Sequence, residues 1–377
     1  MGRSFYWMVL TFVIMCTVIV SGVPVHFIQN TPSYILASPQ PKENITMTVI
    51  FNQFNFKDAG KSLVDSAADI LRSNHPDLGI NIKYIETGMD NNRTRYQILN
   101  AITNGTTVDI VTLDQIWLGE FAQKGLLTDL TNYTEKWGHL SDWYQSNLDG
   151  GVYNESIYGV WAWTDVRGIW YWKDLLNEAG VDANSLKTWD GYIAAAKKLN
   201  TVLRPEGIEG VHLTGASHSP DLWYPYLWML GGDIVQQRQG HPTKGTYWFP
   251  TYNSTEGIKA LEFIKDQIGA GIKPQKEHYF GKEFVDKKFA VMLEGSWMPS
   301  NLPKEDLANV QFLPMFPVPD KKTKNSTLMG GWEFNIPVTS SHKGLAWELI
   351  ELMLRPQILT PWIAEQRYLP TQVTIGE

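Results

Sequence analysis

Asp114, Gln115 and Trp117 directly follow the apolar run 108–113 (VDIVTL). They offer a carboxylate, an amide and an indole in close succession. The first two accept or donate hydrogen bonds, and the third adds a flat apolar face with one N–H. The set holds no obvious catalytic group. A second group lies in 157–172 (IYGVWAWTDVRGIWYW), where Trp161, Trp163 and Asp165 are spaced two apart. Alternate residues of a strand share a face, so these three are expected side by side. Arg167 either pairs with Asp165 or reaches a ligand. Asp114 and Asp165 could also supply the two carboxylates that a glycoside-processing enzyme needs, and that is the alternative activity. Against each functional role stands a structural one: a helix cap for Asp114, a turn for Asp165, and packing for every Trp.

The elements that position these residues can be read from periodicity. Residues 108–113 read as a short buried strand, and 118–127 as a helix or turn. Upstream, 45–51 (ITMTVIF) is a strand, 59–73 a helix with Leu63, Ala67, Ile70 and Leu71 on one side, and 79–85 (GINIKYI) a strand. Residues 92–103 are helix-like. This β-α-β-α-β order predicts a parallel sheet covered by helices. Open sheets of this kind place ligand crevices beyond their strand ends, which is where Asp114 stands. Downstream, 188–199 is a helix capped by Thr188, and 254–268 is a helix with Ile258, Leu261, Ile264 and Ile268 on one face. Residues 289–293, 310–315 and 330–337 are extended, and 345–354 is helical.

A chain of 377 residues is long enough for two domains with sizeable cores. A net charge of −7 with only 19% charged residues gives no basic nucleic-acid surface. The single cysteine, Cys16, excludes an intrachain disulfide and a cysteine zinc site. His212, His218, Asp221 and His241 lack metal-ligand spacing, and no G-x-G-x-x-G follows a strand, so neither a metal nor another cofactor is expected. The apolar run 5–20 lies in a signal peptide or N-terminal membrane anchor, residues 1–22, with a retained anchor preferred. A Pro-rich stalk over 23–43 follows. Seven N-x-S/T sequons start at Asn44, Asn92, Asn104, Asn132, Asn154, Asn253 and Asn325. With the hydrophobic front end they point to an extracellular glycoprotein, and without disulfides to an archaeal one.

The stretch 105–130 (GTTVDIVTLDQIWLGEFAQKGLLTDL) resembles the strand, acidic loop, aromatic and "FA-x-x-G-x-L" helix of the extracellular solute-binding proteins of ABC transporters, in the sugar-binding branch with maltose- and trehalose-binding proteins. Further likenesses follow in that family's order. Tyr158-Gly159 to Gly168 is similar to its "YG-x-P-x-x-T-D" segment, with Trp161 in place of Pro. Residues 230–233 resemble its "GG" element, and 281–297 its "F-x-x-G-x-A-A-M-x-x-x-G-x-W". Gly330-Gly331-Trp332 resembles "GGW", and 368–371 (YLPT) the late "G-x-x-P-T-R". Gln372 stands where relatives often carry Arg, and the chain ends at Glu377 where relatives continue for several helices, so the second lobe is expected to be truncated.

The resemblance implies an α/β, periplasmic-binding-protein-like (type II) fold of two discontinuous lobes joined by a hinge. Lobe 1 is expected over 44–156 and 312–354, and lobe 2 over 157–311 and 355–377. The implied function is a non-catalytic receptor, a monomer, that captures a di- or oligosaccharide and delivers it to ABC transporter permease subunits, attached to the membrane through its N-terminal segment. Binders of other small solutes share this broad fold. The implied ligand contacts are stacking by Trp297 and Trp332, with Trp117 or Trp163 lateral, and hydroxyl acceptance by Asp114 and Asp165. Gln53 and Glu294 are secondary contacts, and Gly330 and Gly331 allow close approach of backbone to the ligand.

Overall fold

The computed structural model describes residues 43–51, 57–87, 91–215, 219–238, 247–276, 281–300 and 302–377. The first strand, Glu43–Phe51, pairs in parallel with Leu78–Glu86 on one edge and with Ile110–Asp114 on the other. Helix Lys57–Asn74 covers this sheet, because Leu63, Val64, Ala67, Ala68 and Leu71 recur at helical spacing and all are buried. The β-α-β-α-β reading of this region therefore matches the structure element for element.

One long strand organises the rest. Val160–Trp172 runs 13 residues without a break. Its first half pairs antiparallel with Met329–Asn335, which in turn pairs antiparallel with Ile110–Asp114. Its second half lies between Phe289–Gly295 and Val310–Leu313, antiparallel to both. Two hydrophobic cores result. Residues 160–163 belong to the first, with the strands around Asp114 and helices Lys57–Asn74 and Lys343–Met353. Ile169, Trp170, Tyr171 and Trp172 belong to the second, with helix Trp189–Leu203. Between them, Val166, the one hydrophobic residue of 164–168, is in neither core. This mixed α/β architecture is the bilobed type II fold that was expected.

Three expectations are corrected. Helix Thr255–Gly269 turns its Ile258, Leu261 and Ile268 outward, at 55%, 54% and 46% exposed, and buries Gly257, Ala260, Phe263 and Gln267. The reason is Phe263, which stacks on Trp189 at 4.2 Å with rings 6° from parallel and so sets the inward face. Asp221, expected in a loop-rich stretch, lies instead in helix Ser219–Met229, which tolerates Pro225. The expected membrane attachment through the N-terminal segment finds no support in the structure. No helix among the described residues is long and apolar enough to cross a membrane, and residues 1–42, with the stalk and Cys16, lie outside the described residues.

Candidate functional site

The candidate site residues are brought together by strand register. Asp114, the last residue of its strand, sits directly opposite Trp332, and Trp332 sits opposite Trp163. Two residues along, Gly330 faces Asp165. Direct antiparallel partners point to the same side of a sheet, so Asp114, Trp332, Trp163 and Asp165 share one face.

Asp114, a candidate site residue, is a cap in the structure. Its Oδ1 accepts from the Ile116 backbone N–H at 3.4 Å and starts the short 3-10 turn Gln115–Trp117. Burial pushes its carboxyl up to about 7. The Ile116 N–H opposes this, and the nearby charge of Asp165 adds to it to a lesser degree. Asp165 is likewise raised by burial, with Arg167 pulling it back and Glu294 and Asp221 pushing it further. Arg167, two residues on and on the same face, donates from Nη1 to Asp165. Its Nη2 lies 3.8 Å from Asp221 in helix Ser219–Met229, and its guanidinium lies 4.6 Å from the centre of the Trp297 ring. Glu294 is buried one residue before the end of its strand, and its Oε1 accepts from Gly295 N–H at 2.8 Å.

The indoles divide into two sets. Trp297 is half-buried beside Arg167. Trp332, 6% exposed, is met edge-on by Trp117 at 5.7 Å. Trp163 is a core residue, stacked between Phe51 at 5.9 Å and Tyr368 at 6.0 Å and tilted against Trp362. Trp161 turns to the other side of the sheet. The register shifts between Trp332 and Glu333, so that Glu333 faces Trp161 while Trp332 faces Trp163. A bulge of this kind reverses the alternation. Trp161 therefore lines a small cavity with Leu140, Asn147, Leu148 and Gly159, and the expected sharing of a face with Trp163 and Asp165 does not occur.

Gly330 and Gly331 make room for protein atoms. A Cβ at 330 would lie 2.9 Å from both Asp165 Oδ1 and Arg167 Nη1, and one at 331 would lie 2.5 Å from the Trp163 carbonyl and 2.6 Å from the Trp161 ring. Gln372 is buried and donates to the Leu354 carbonyl at 2.8 Å. Gln53 and its loop lie outside the described residues, as do His218 and His241. His212 packs edge-on to Phe289 in the second lobe. Among the described residues no group of three His, Cys, Asp or Glu could hold a metal ion. Sequence reasoning undervalued Arg167 and Asp221. The signal for the first was present, a lone cation in an apolar strand. Asp221 gave none, since only the fold brings its helix to the crossing strand.

Residues 55–358 match the family model described as bacterial extracellular solute-binding protein. The chain belongs to this family. Its members bind solutes without transforming them, so this solute-binding protein is not an enzyme. It is 24% identical over 281 residues to a putative binding protein of Brucella abortus (strain 2308), a match covering 73% of this chain and 65% of that protein. The chain thus spans just under two thirds of the length of that relative. Among solved structures, it is similar to maltose-bound MalE3 of T. maritima, at TM-score 0.71 and 23% identity, covering 88% of this chain and 82% of the other. It is also similar to UgpB from Mycobacterium tuberculosis in complex with glycerophosphocholine, at TM-score 0.73 and 20% identity, covering 89% and 80%. These two likenesses establish the fold. The three relatives are bacterial, and none supports an archaeal source.

Proposed function

We propose that this solute-binding protein is an extracellular receptor that captures a sugar, a di- or oligosaccharide, between its two lobes and delivers it to the permease of an ABC transporter. The observation that carries the reading is the cluster at the lobe junction, where Asp114, Asp165 and Trp297 lie around Arg167. Carboxylates accept from hydroxyls at the edge of a sugar ring, and an indole covers its C–H face. Membership of the family and the likeness to a maltose-bound protein support the same reading.

A phosphodiester, as in the glycerophosphocholine complex, is the second reading that a relative raises. The charges disfavour it, because the Arg167 guanidinium already faces Asp114, Asp165 and Asp221, and Glu294 adds a further negative charge beside Asp165. A panel of maltose, maltotriose and glycerophosphocholine, read by tryptophan fluorescence and by thermal shift, tests the assignment. A sugar that raises the melting temperature with increasing concentration supports it. Stabilisation by glycerophosphocholine alone overturns it.

The lobe edges we propose follow the expected division, 44–156 with 312–354 and 157–311 with 355–377, adjusted by core membership. Residues 160–163 and 359–368 pack with the first core, and Val310 and Phe316 with the second. All seven sequon asparagines are exposed and are proposed glycosylation sites. Asn325 is the least suited of them, because its amide already donates to the Phe316 carbonyl at 2.8 Å.

A further inference from the structure

We infer that Arg167 is the positioning residue of the crevice: it holds Asp165 as a charged acceptor and seats the Trp297 indole beside it, so that the ligand meets both in a fixed arrangement. This rests on the reading of the crevice as the sugar site and deepens it.

The backbone of Arg167 is held at the lobe junction. Its N–H donates to the Leu328 carbonyl at 3.0 Å, its carbonyl accepts from Thr327 Oγ1 at 2.6 Å, and it pairs in register with Gly295. From this point the guanidinium touches three elements. It bonds Asp165 on its own strand, approaches Asp221 on helix Ser219–Met229, and covers Trp297 beyond strand Phe289–Gly295. Space for the pair depends on Gly330, as any Cβ there would press on both partners. Only a planar fork can bond a carboxylate in its plane while presenting a face to an indole.

The charges give the arrangement a consequence. Asp165 is faced by Glu294 and Asp221, and Asp114 by Asp165 and Asp221, with Glu333 behind Asp114. Arg167 is the cation that acts on both Asp114 and Asp165. Without it, buried carboxyls repelling one another take up protons, and a carboxyl that accepts from a sugar hydroxyl becomes one that competes to donate. Arg167 also covers the Trp297 ring, 4.6 Å from its centre, and so fixes where the indole stands relative to Asp165.

The test compares wild type with Arg167→Gln and Arg167→Lys in two measurements. The first is affinity for maltose and maltotriose between pH 5 and 9. The second, without ligand, is the pH titration of tryptophan fluorescence. We expect Arg167→Gln to lose about tenfold or more in affinity, the value of one charge-assisted hydrogen bond, and to move the fluorescence midpoint upward by about one pH unit. We expect Arg167→Lys to restore the midpoint while leaving affinity reduced, since an ammonium lacks the fork and the stack. Wild-type affinity and midpoint in Arg167→Gln overturn the inference. If that variant does not fold, Arg167→Lys decides, and wild-type affinity in it overturns the inference equally. Failure of the wild type to bind either sugar counts against the sugar reading alone, because the ligand-free titration still reports whether Arg167 governs the carboxyls.

Discussion

Asp114 and Trp332 are direct partners across an antiparallel strand pair, so the carboxyl and the indole stand on the same face of the sheet. Asp114 titrates near neutrality, at about 7, because burial disfavours its charge. Tryptophan fluorescence is therefore expected to change with a midpoint near pH 7. Asp114→Asn should abolish this transition, as a titration from pH 5 to 9 would show.

Glu333 carries a larger stability effect. It is fully buried, and the Asn335 side chain is its polar neighbour. Burial pushes its carboxyl well above the usual range, with Asp114 adding to the rise and Asn335 opposing it. The folded state then holds a proton that the unfolded state releases above about pH 4.5. Its contribution to stability is present in acid and falls as pH rises towards the folded-state value. Glu333→Gln should flatten this fall. Denaturant unfolding at pH 5 and pH 8 is expected to show the variant gaining on wild type at the higher pH.

Trp163 tests packing against binding. Its ring lies among Phe51, Trp362 and Tyr368. Trp163→Ala should cost about 3–5 kcal/mol of stability by leaving a cavity. The affinity of the folded protein for its sugar should change little. A large loss of affinity with unchanged unfolding would instead place the indole against the ligand.

Gly330→Ala tests the room left for the ion pair. The new Cβ would lie 2.9 Å from Asp165 Oδ1 and from Arg167 Nη1. Displacing them should cost about 1–3 kcal/mol, as overpacking usually does, and should weaken sugar binding. Calorimetry and thermal unfolding measure the two effects separately.

Helix Thr255–Gly269 yields a contrast between two of its own residues. Leu261→Glu, on the exposed side, should alter stability by no more than about 0.5 kcal/mol. Phe263→Ala, which removes the stack on Trp189, should cost about 3–5 kcal/mol. Both values follow from chemical denaturation.

The sequence by itself determined the order of strands and helices, the parallel start of the sheet, and the strand end that carries Asp114. Those features are local: they follow from periodicity, from caps and from the rule that places crevices beyond strand ends. It also marked Trp161, Trp163, Asp165 and Arg167 as a group. Only the tertiary structure decided what each of them does. Periodicity says which residues share a face, but a bulge opposite Glu333 put Trp161 on the far side from Trp163. The same limit applied to helix Thr255–Gly269, where a lone Phe263 with an aromatic partner outweighed a stripe of isoleucine and leucine. The setting of Arg167 among Asp165, Asp221 and Trp297 depends on three elements distant in sequence. Long-range pairing, which no local pattern encodes, is what turns a solitary cation in an apolar strand into the centre of a site.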